Sequence, residues 1–196
     1  MSTYQEKPDI NFLSSEAKKQ TKTPSDSHTI MSELVLPNDT NGLGNLMGGR
    51  LLHWMDICAA ISSQRHSGGV CVTASVDNVE FHAPILQSEI VTLQSQVNRA
   101  FRTSMEIEIT VDAENPRTGT KRRCNRAYYT FVAVGPDGKP VPVPQVTPVT
   151  DEEKDRFEQA LRRREFRLFM AGRLTPEQID DFRSYLNSIR DAHTSA

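Results

Sequence analysis

The spacing of apolar side chains changes along the chain, and each change marks an element or a boundary. After a polar opening, residues 30–36 form a short strand-like run. Residues 50–61 hold good helix formers with no Pro or Gly and predict a helix. That helix is apolar on nearly every side, so it is expected to be buried rather than half wet. The period then falls to two. Val70, Val72, Ala74 and Val76 alternate with other positions, and the stretch ends near Phe81-His82-Ala83-Pro84. Residues 90–97 predict another strand. Met105, Ile107, Ile109 and Val111 alternate with Glu106, Glu108, Thr110 and Asp112, the cleanest period-two signal in the chain. Residues 126–134, rich in Tyr and Phe, predict a further strand that closes at Gly135-Pro136-Asp137-Gly138.

Short turns join these strands, so an antiparallel sheet is expected. One buried helix followed by long antiparallel strands is an α+β arrangement. A sheet curved around the helix would account for a helix apolar on nearly all sides. Beyond a proline-spaced linker at 140–148 the pattern turns helical again. Asp151, Glu152 and Glu153 suit a helix N-terminus, and Arg162, Arg163 and Arg164 follow. Thr175-Pro176-Glu177-Gln178 reads as a capping box with Pro at the first helical position. Ile179, Phe182, Leu186 and Ile189 then form one apolar stripe. The organisation expected is a flexible arm over 1–27, a globular domain over 28–148 and a C-terminal helical extension over 149–196.

Composition narrows the function classes. The 196 residues carry a net charge of -2, which gives no general attraction to nucleic acid or an anionic membrane. An anionic ligand would need a local basic patch. No run approaches the roughly twenty apolar residues needed to cross a bilayer. The N-terminus mixes Glu6, Lys7, Asp9, Lys18 and Lys19 without the apolar run of a secretory leader, so a cytoplasmic setting is expected. Cys58, Cys71 and Cys124 are odd in number and lack metal-ligand spacing. Reduced thiols and no metal site are expected.

The chemistry concentrates between Asn41 and Asp56. Asp56 lies one helical turn from Leu52 and Ala60, where a carboxylate is costly unless paired or hydrogen-bonded. It is either a structural Asp bonded to a neighbour or a working acid. Upstream, Gly42, Gly44, Gly48 and Gly49 permit positive φ and close backbone approach. A Gly48-Gly49 pair at a helix start offers N–H groups and the positive end of the helix dipole. Such a start suits an oxyanion or a phosphate. A carboxylate, an oxyanion donor and the short amide of Asn41 together point to acyl transfer to water.

These residues carry a resemblance. Asn38-Asp39-Thr40-Asn41, Gly44, Met47-Gly48-Gly49 and Met55-Asp56 resemble the acyl-CoA thioesterases of the hot-dog superfamily. So do Thr73-Ala74-Ser75-Val76-Asp77, Arg102-Thr103-Ser104-Met105-Glu106 and the run from Ala127 to Val134. The resemblance covers roughly residues 28–148. It implies a hot-dog fold, with a long antiparallel sheet wrapped around one central helix. It also implies hydrolysis of acyl-CoA to fatty acid and CoA, with no cofactor beyond the CoA of substrate and product, and assembly as homodimers, often three per hexamer. The family's Asn and Asp fall on Asn41 and Asp56, and its oxyanion glycine on Gly48 or Gly49. Met47 stands where many relatives have His, so the resemblance assigns the backbone there and not a side chain.

Spacing adds a constraint of its own. Gly48 and Asp56 are eight positions apart on one helix, a rise of about 12 Å. A scissile carbonyl needs its oxyanion donor and its water or nucleophile within about 3 Å each. A composite site is therefore expected, with Gly48 and Asn41 from one subunit and Asp56 from its partner. Asp56 would act as general base or as nucleophile. CoA is expected to meet Arg99, Arg102, Thr103, Ser104, Lys121, Arg122, Arg123 and Arg126, read as a cluster on adjacent strand ends and turns. His53, His66 and His82 are expected to be structural or superficial, and Cys58 a small core residue. The rival readings are a non-catalytic acyl-CoA or lipid sensor on the same fold, a thioesterase acting on carrier-protein substrates, and a dehydratase, which would call for a catalytic His near an acid.

Overall fold

Five strands and two long helices account for most of the described chain, which comprises residues 21–77, 79, 81–175 and 179 of a computed structural model. In chain order they are β1 (Thr29–Leu34), α1 (Gly48–Ser67), β2 (Cys71–Val76), β3 (Ile90–Ala100), β4 (Ser104–Glu114), β5 (Lys121–Ala133) and α2 (Asp151–Met170). The chain divides into two units, residues 1–149 and 150–196, each described by itself.

In the first unit the strands form one antiparallel sheet in the order β1-β3-β4-β5-β2. Helix α1 contacts all five strands, so the sheet curls around it. This is the α+β arrangement, helix inside sheet, that the resemblance implies. Leu51, Met55, Cys58 and Ala59 on the helix meet a core that includes Val91, Leu93, Val97, Ile107, Ile109, Tyr129 and Phe131, all buried.

Helix α1 is longer than its apolar pattern. It starts on the two glycines and continues through Ser62-Ser63-Gln64-Arg65-His66-Ser67. Buried hydroxyls make the polar end affordable: Ser62 Oγ donates to Thr29 Oγ1 (2.9 Å) and lies 2.6 Å from Ser95 Oγ. The helix stops at Gly68, whose φ of 66° opens the left-handed turn. One expectation fails here. The helix is not covered on all sides, because His53, Ile57 and Ile61 leave an open stripe at four-residue spacing.

Strand β4 departs from its pattern in the opposite sense. Its alternating Glu residues do not face water: Glu106 and Glu108 are buried. Glu108 accepts from Asn98 Nδ2 (3.4 Å) and pairs with Arg126 Nε (2.6 Å). Strand β5 begins at Lys121, five residues before the predicted start. Three strands carry an extra residue where the register shifts: Ala74 in β2, Asn98 in β3 and Cys124 in β5.

Residues 1–20 of the expected flexible arm lie outside the described residues. Within the remainder, 21–27, Pro24–Ser27 forms a 3-10 turn packed on α1 and β3, with Ser27 Oγ accepting from Val97 N–H at 2.9 Å. In the second unit, Thr150 caps α2 and pairs reciprocally with Glu153, as the acidic start predicts. The capping box at 175–178 and the stripe through Phe182, Leu186 and Ile189 fall outside the described residues. Among those described, no helix is long and apolar enough to cross a membrane.

Candidate active site

The turn before α1 is built by short-range hydrogen bonds that leave few degrees of freedom. Asp39, almost fully buried, accepts from Leu36 N–H (3.0 Å) and pairs with Arg50 Nε (2.7 Å). Its carbonyl accepts Met47 N–H at 2.9 Å, while Leu46 N–H donates to Ile85 O at 2.7 Å. Between these anchors, Asn41 Oδ1 accepts from Leu43 N–H (2.9 Å) and Asn45 N–H (3.2 Å). With two N–H groups aimed at that oxygen, the side-chain orientation is fixed and the Nδ2 amide is left as a donor. Of the four glycines, only Gly44 has a positive φ, at 75°. The others are not needed for turn strain.

Gly48 and Gly49 occupy the first two positions of α1, whose N–H groups have no intrahelical acceptor. Gly48 is also a close approach, since a Cβ built there would lie 3.2 Å from Phe81 Cζ. Asn41 and Gly48 line one cavity of about 390 Å³. Asp56 lines a different one of about 530 Å³, together with Gly49, Leu52, His53, Asp77 and Tyr129. The structure thus places Asn41 and Gly48 in one space of the protomer, and Asp56 together with Gly49 in another.

Asp56 has a partner that sequence reading did not assign. Thr73 Oγ1 donates to Asp56 Oδ1 at 2.7 Å. The extra residue Ala74 bends edge strand β2 immediately beyond Thr73. The phenol of Tyr129, stacked on Phe131 at 6.4 Å between centroids, is pushed up to about 12 by burial, with the charge of Asp56 adding to the effect. It stays a neutral wall of the Asp56 cavity at ordinary pH. His53, expected to be structural or superficial, is exposed and borders this cavity too. His66 is structural as expected: it is buried, with Nε2 2.8 Å from Pro144 O, and burial lowers its basicity. Cys58, Cys71 and Cys124 are free and buried, and burial pushes each thiol up.

The basic residues expected around CoA are not one cluster. Arg99, Arg102, Thr103 and Ser104 lie at the β3–β4 turn, with Arg99 5.9 Å from the centroid of the Phe101 ring. Lys121, Arg122 and Arg123 lie across from Glu114 to Asp112, at the far end of β4. An eleven-residue strand separates the two groups by roughly 33 Å. Reading them as neighbours assumed that turns close in sequence lie at one end of the sheet, and the antiparallel register sends them to opposite ends. Most are also engaged. Lys121 pairs with Glu114 (3.1 Å), Arg123 with Asp112 (2.5 Å) and Arg126 with Glu108 (2.6 Å). Arg122 binds both oxygens of Glu89 (2.8 and 2.6 Å) and the Pro84 carbonyl (2.6 Å). These bonds, with Leu86 N–H adding to them, hold the Glu89 carboxyl below the usual carboxylate range. Arg122 is therefore the anchor of the loop that walls the Asn41 cavity.

Known proteins place this architecture. The family model of the thioesterase superfamily matches residues 43–120. The chain is 43% identical over 141 residues to mouse acyl-coenzyme A thioesterase 11, covering 72% of this chain and 24% of that protein. It is 40% identical over 134 residues to an uncharacterized acyl-CoA thioester hydrolase of Bacillus subtilis, covering 68% and 78%. It is 37% identical over 139 residues to the rat cytosolic acyl coenzyme A thioester hydrolase, covering 70% and 36%. It thus spans about a quarter to a third of the mammalian relatives' length. Among solved structures, an acyl-CoA hydrolase of Bacillus cereus superposes with a TM-score of 0.75 at 40% identity, covering 78% and 93%. An apo-hexameric acyl-CoA thioesterase gives the same TM-score and identity, covering 78% and 97%. A Staphylococcus aureus acyl-CoA hydrolase, solved with butyryl-CoA and CoA, gives 0.71 at 33%, covering 78% and 94%. The fold is the hot-dog fold, and the chain belongs to the acyl-CoA thioesterase family of the thioesterase superfamily. Variants of the Staphylococcus aureus hydrolase carry Ala in place of an Asn, an Asp and a Thr. Those three stand fifteen and seventeen positions apart, the same spacings as Asn41 to Asp56 and Asp56 to Thr73.

Proposed function

We propose that this chain hydrolyses acyl-CoA thioesters to free fatty acid and CoA at a site shared between two copies. The observation that carries the reading is the division of one short segment: Asn41 and Gly48 face one cavity, and the Asp56–Thr73 pair faces another. In the reaction, the thioester oxygen accepts from Asn41 Nδ2 and from the Gly48 or Gly49 N–H of one protomer. Asp56 of its partner takes a proton from water, which attacks the carbonyl carbon, and the CoA thiolate leaves. Thr73 occupies Asp56 Oδ1 and so presents Oδ2 to the water. The open stripe of His53, Ile57 and Ile61 and the exposed edge β2 supply a surface for the second copy. Similarity to the apo-hexameric thioesterase supports three such dimers per assembly.

For CoA, the Arg99–Ser104 group and Lys121–Arg123 lie at opposite ends of β4 with Arg126 between them, so one CoA would not meet both ends within a single protomer. Similarity to the cytosolic rat hydrolase supports a cytosolic setting. Release of free CoA from a panel of acyl-CoAs is the direct test, with Asp56→Ala expected to lose it. A wild type inactive on all of them would instead favour a sensor that binds without cleaving. The shared site is tested by mixing Asp56→Ala and Asn41→Ala chains. A mixed dimer holds one intact site and one doubly impaired site, so activity should return. A verified mixed dimer without activity would refute the sharing.

A further inference from the structure

We propose that the cavity between the Asn41 turn and the bulge of β5 receives the acyl chain, and that Cys124 at its floor sets the longest chain accepted. The proposal rests on the hydrolase reading, because that reading puts the thioester carbonyl at Gly48, on this cavity's wall. Three observations carry it beyond that reading.

The first is a gradient of exposure. The rim is open, with Asn41 exposed and Phe81 53% exposed. The interior is closed, with Leu51 at 3%, Ile85 at 4% and Cys124 at 2%. A carbonyl held at the rim therefore directs its tail inward. The second is the chemistry of the lining. Leu46, Leu51, Pro84 and Ile85 offer an apolar path with no charged group on it. The neutral thiol, held in its protonated form by burial, continues that path to the floor. The third is the bulge. The register passes from Val111 opposite Asn125 to Asp112 opposite Arg123, so Cys124 is the unpaired extra residue. Bulges re-aim a side chain without breaking the sheet. Here the re-aimed side chain joins the buried part of the cavity's lining.

Size gives a range. At roughly 30 Å³ per water-sized group, and a methylene being of similar size, 390 Å³ holds on the order of ten groups. A medium-chain acyl group fits, and a long one would have to leave by the rim. Each buried methylene should raise kcat/KM about fourfold until the floor is met.

The test is the chain-length profile of CoA release from acetyl- to palmitoyl-CoA, for wild type and for Cys124→Met and Cys124→Phe. The wild-type profile should rise and then flatten near ten carbons. Cys124→Phe should move the break shorter by several carbons, each profile being read relative to the same variant's acetyl-CoA rate, with Cys124→Met between. A folded variant with an unshifted profile would overturn the proposal. Should Cys124→Phe fail to fold, an acyl-CoA with a photoreactive group at the chain end reports on the wild type alone. Label in the peptides of Leu51, Ile85 or Cys124 supports the pocket, and label only elsewhere overturns it. If wild type releases no CoA from any substrate yet labels these peptides, the hydrolase reading falls and the pocket stands.

Discussion

Replacing Arg122 by Ala tests whether this residue anchors the cavity wall. The Glu89 side chain is only 5% exposed, and without Arg122 it would retain a single Leu86 N–H as partner. Removing one member of a buried ion pair costs about 3–5 kcal/mol. Arg122 is about one-third exposed (32%), so water replaces part of what it supplies, and about 2 kcal/mol is the expected loss at neutral pH. Urea denaturation of wild type and variant at several pH values measures it. The sign follows from linkage. Glu89 is held below its ordinary value of 4.5 in the folded state, so the pair's contribution is present above pH 4.5. It is lost as pH falls through the folded value. The difference between wild type and Arg122→Ala should therefore be full at pH 7 and shrink in acid. Because the loop from Pro84 to Glu89 walls the cavity, kcat/KM for medium-chain substrates should drop as well. A variant as stable as wild type at pH 7, or a loss that ignores pH, would refute the anchoring role.

Other consequences are simpler to read. Thr73→Val removes a charge-assisted hydrogen bond from Asp56, worth about 1.5–3 kcal/mol, and should lower kcat by roughly 10- to 150-fold with KM little changed. An unchanged kcat would remove Thr73 from the site. His66 is buried with its basicity lowered, so its neutral form favours folding, and stability should fall as pH drops below about 6.5. The steepest contribution is about 1.4 kcal/mol per pH unit, and it should vanish in a folded His66→Gln variant. Gly44→Ala forces a side chain into φ 75° and should cost about 1–2 kcal/mol, whereas Gly42, which has no positive φ, should tolerate Ala in the same denaturation experiment.

What the sequence disclosed, and what it hid, follows from the range of each signal. The period-two run of β4 and the cap of α2 are local patterns, and both elements appear where they predict. Strand β5 was legible only from Arg126 because the bulge at Cys124 breaks its alternation. Buried positions are odd-numbered from Asn125 onward, and Cys124 at the bulge is buried out of that alternation. Asn41, Gly48, Gly49 and Asp56 could be grouped as candidates because they lie on one short segment. Thr73 was not, because its meeting with Asp56 depends on an edge strand placed seventeen residues later. The basic residues were misgrouped because the two turns that carry them follow one another in the chain, whereas consecutive antiparallel hairpins put their turns at opposite ends of the shared strand. The length of α1 was understated because its polar end is stabilised by hydroxyl partners on β1 and β3.

The two cavities on α1 also bear on how activity depends on amount. If neither cavity holds a complete set of reacting groups, turnover belongs to the pair and not to the chain. Its specific activity then follows mass action, falling on dilution below the dissociation constant of the pair and recovering on concentration. A cell that lowers the abundance of this protein would lose activity faster than it loses protein, and expression level alone would act as a threshold.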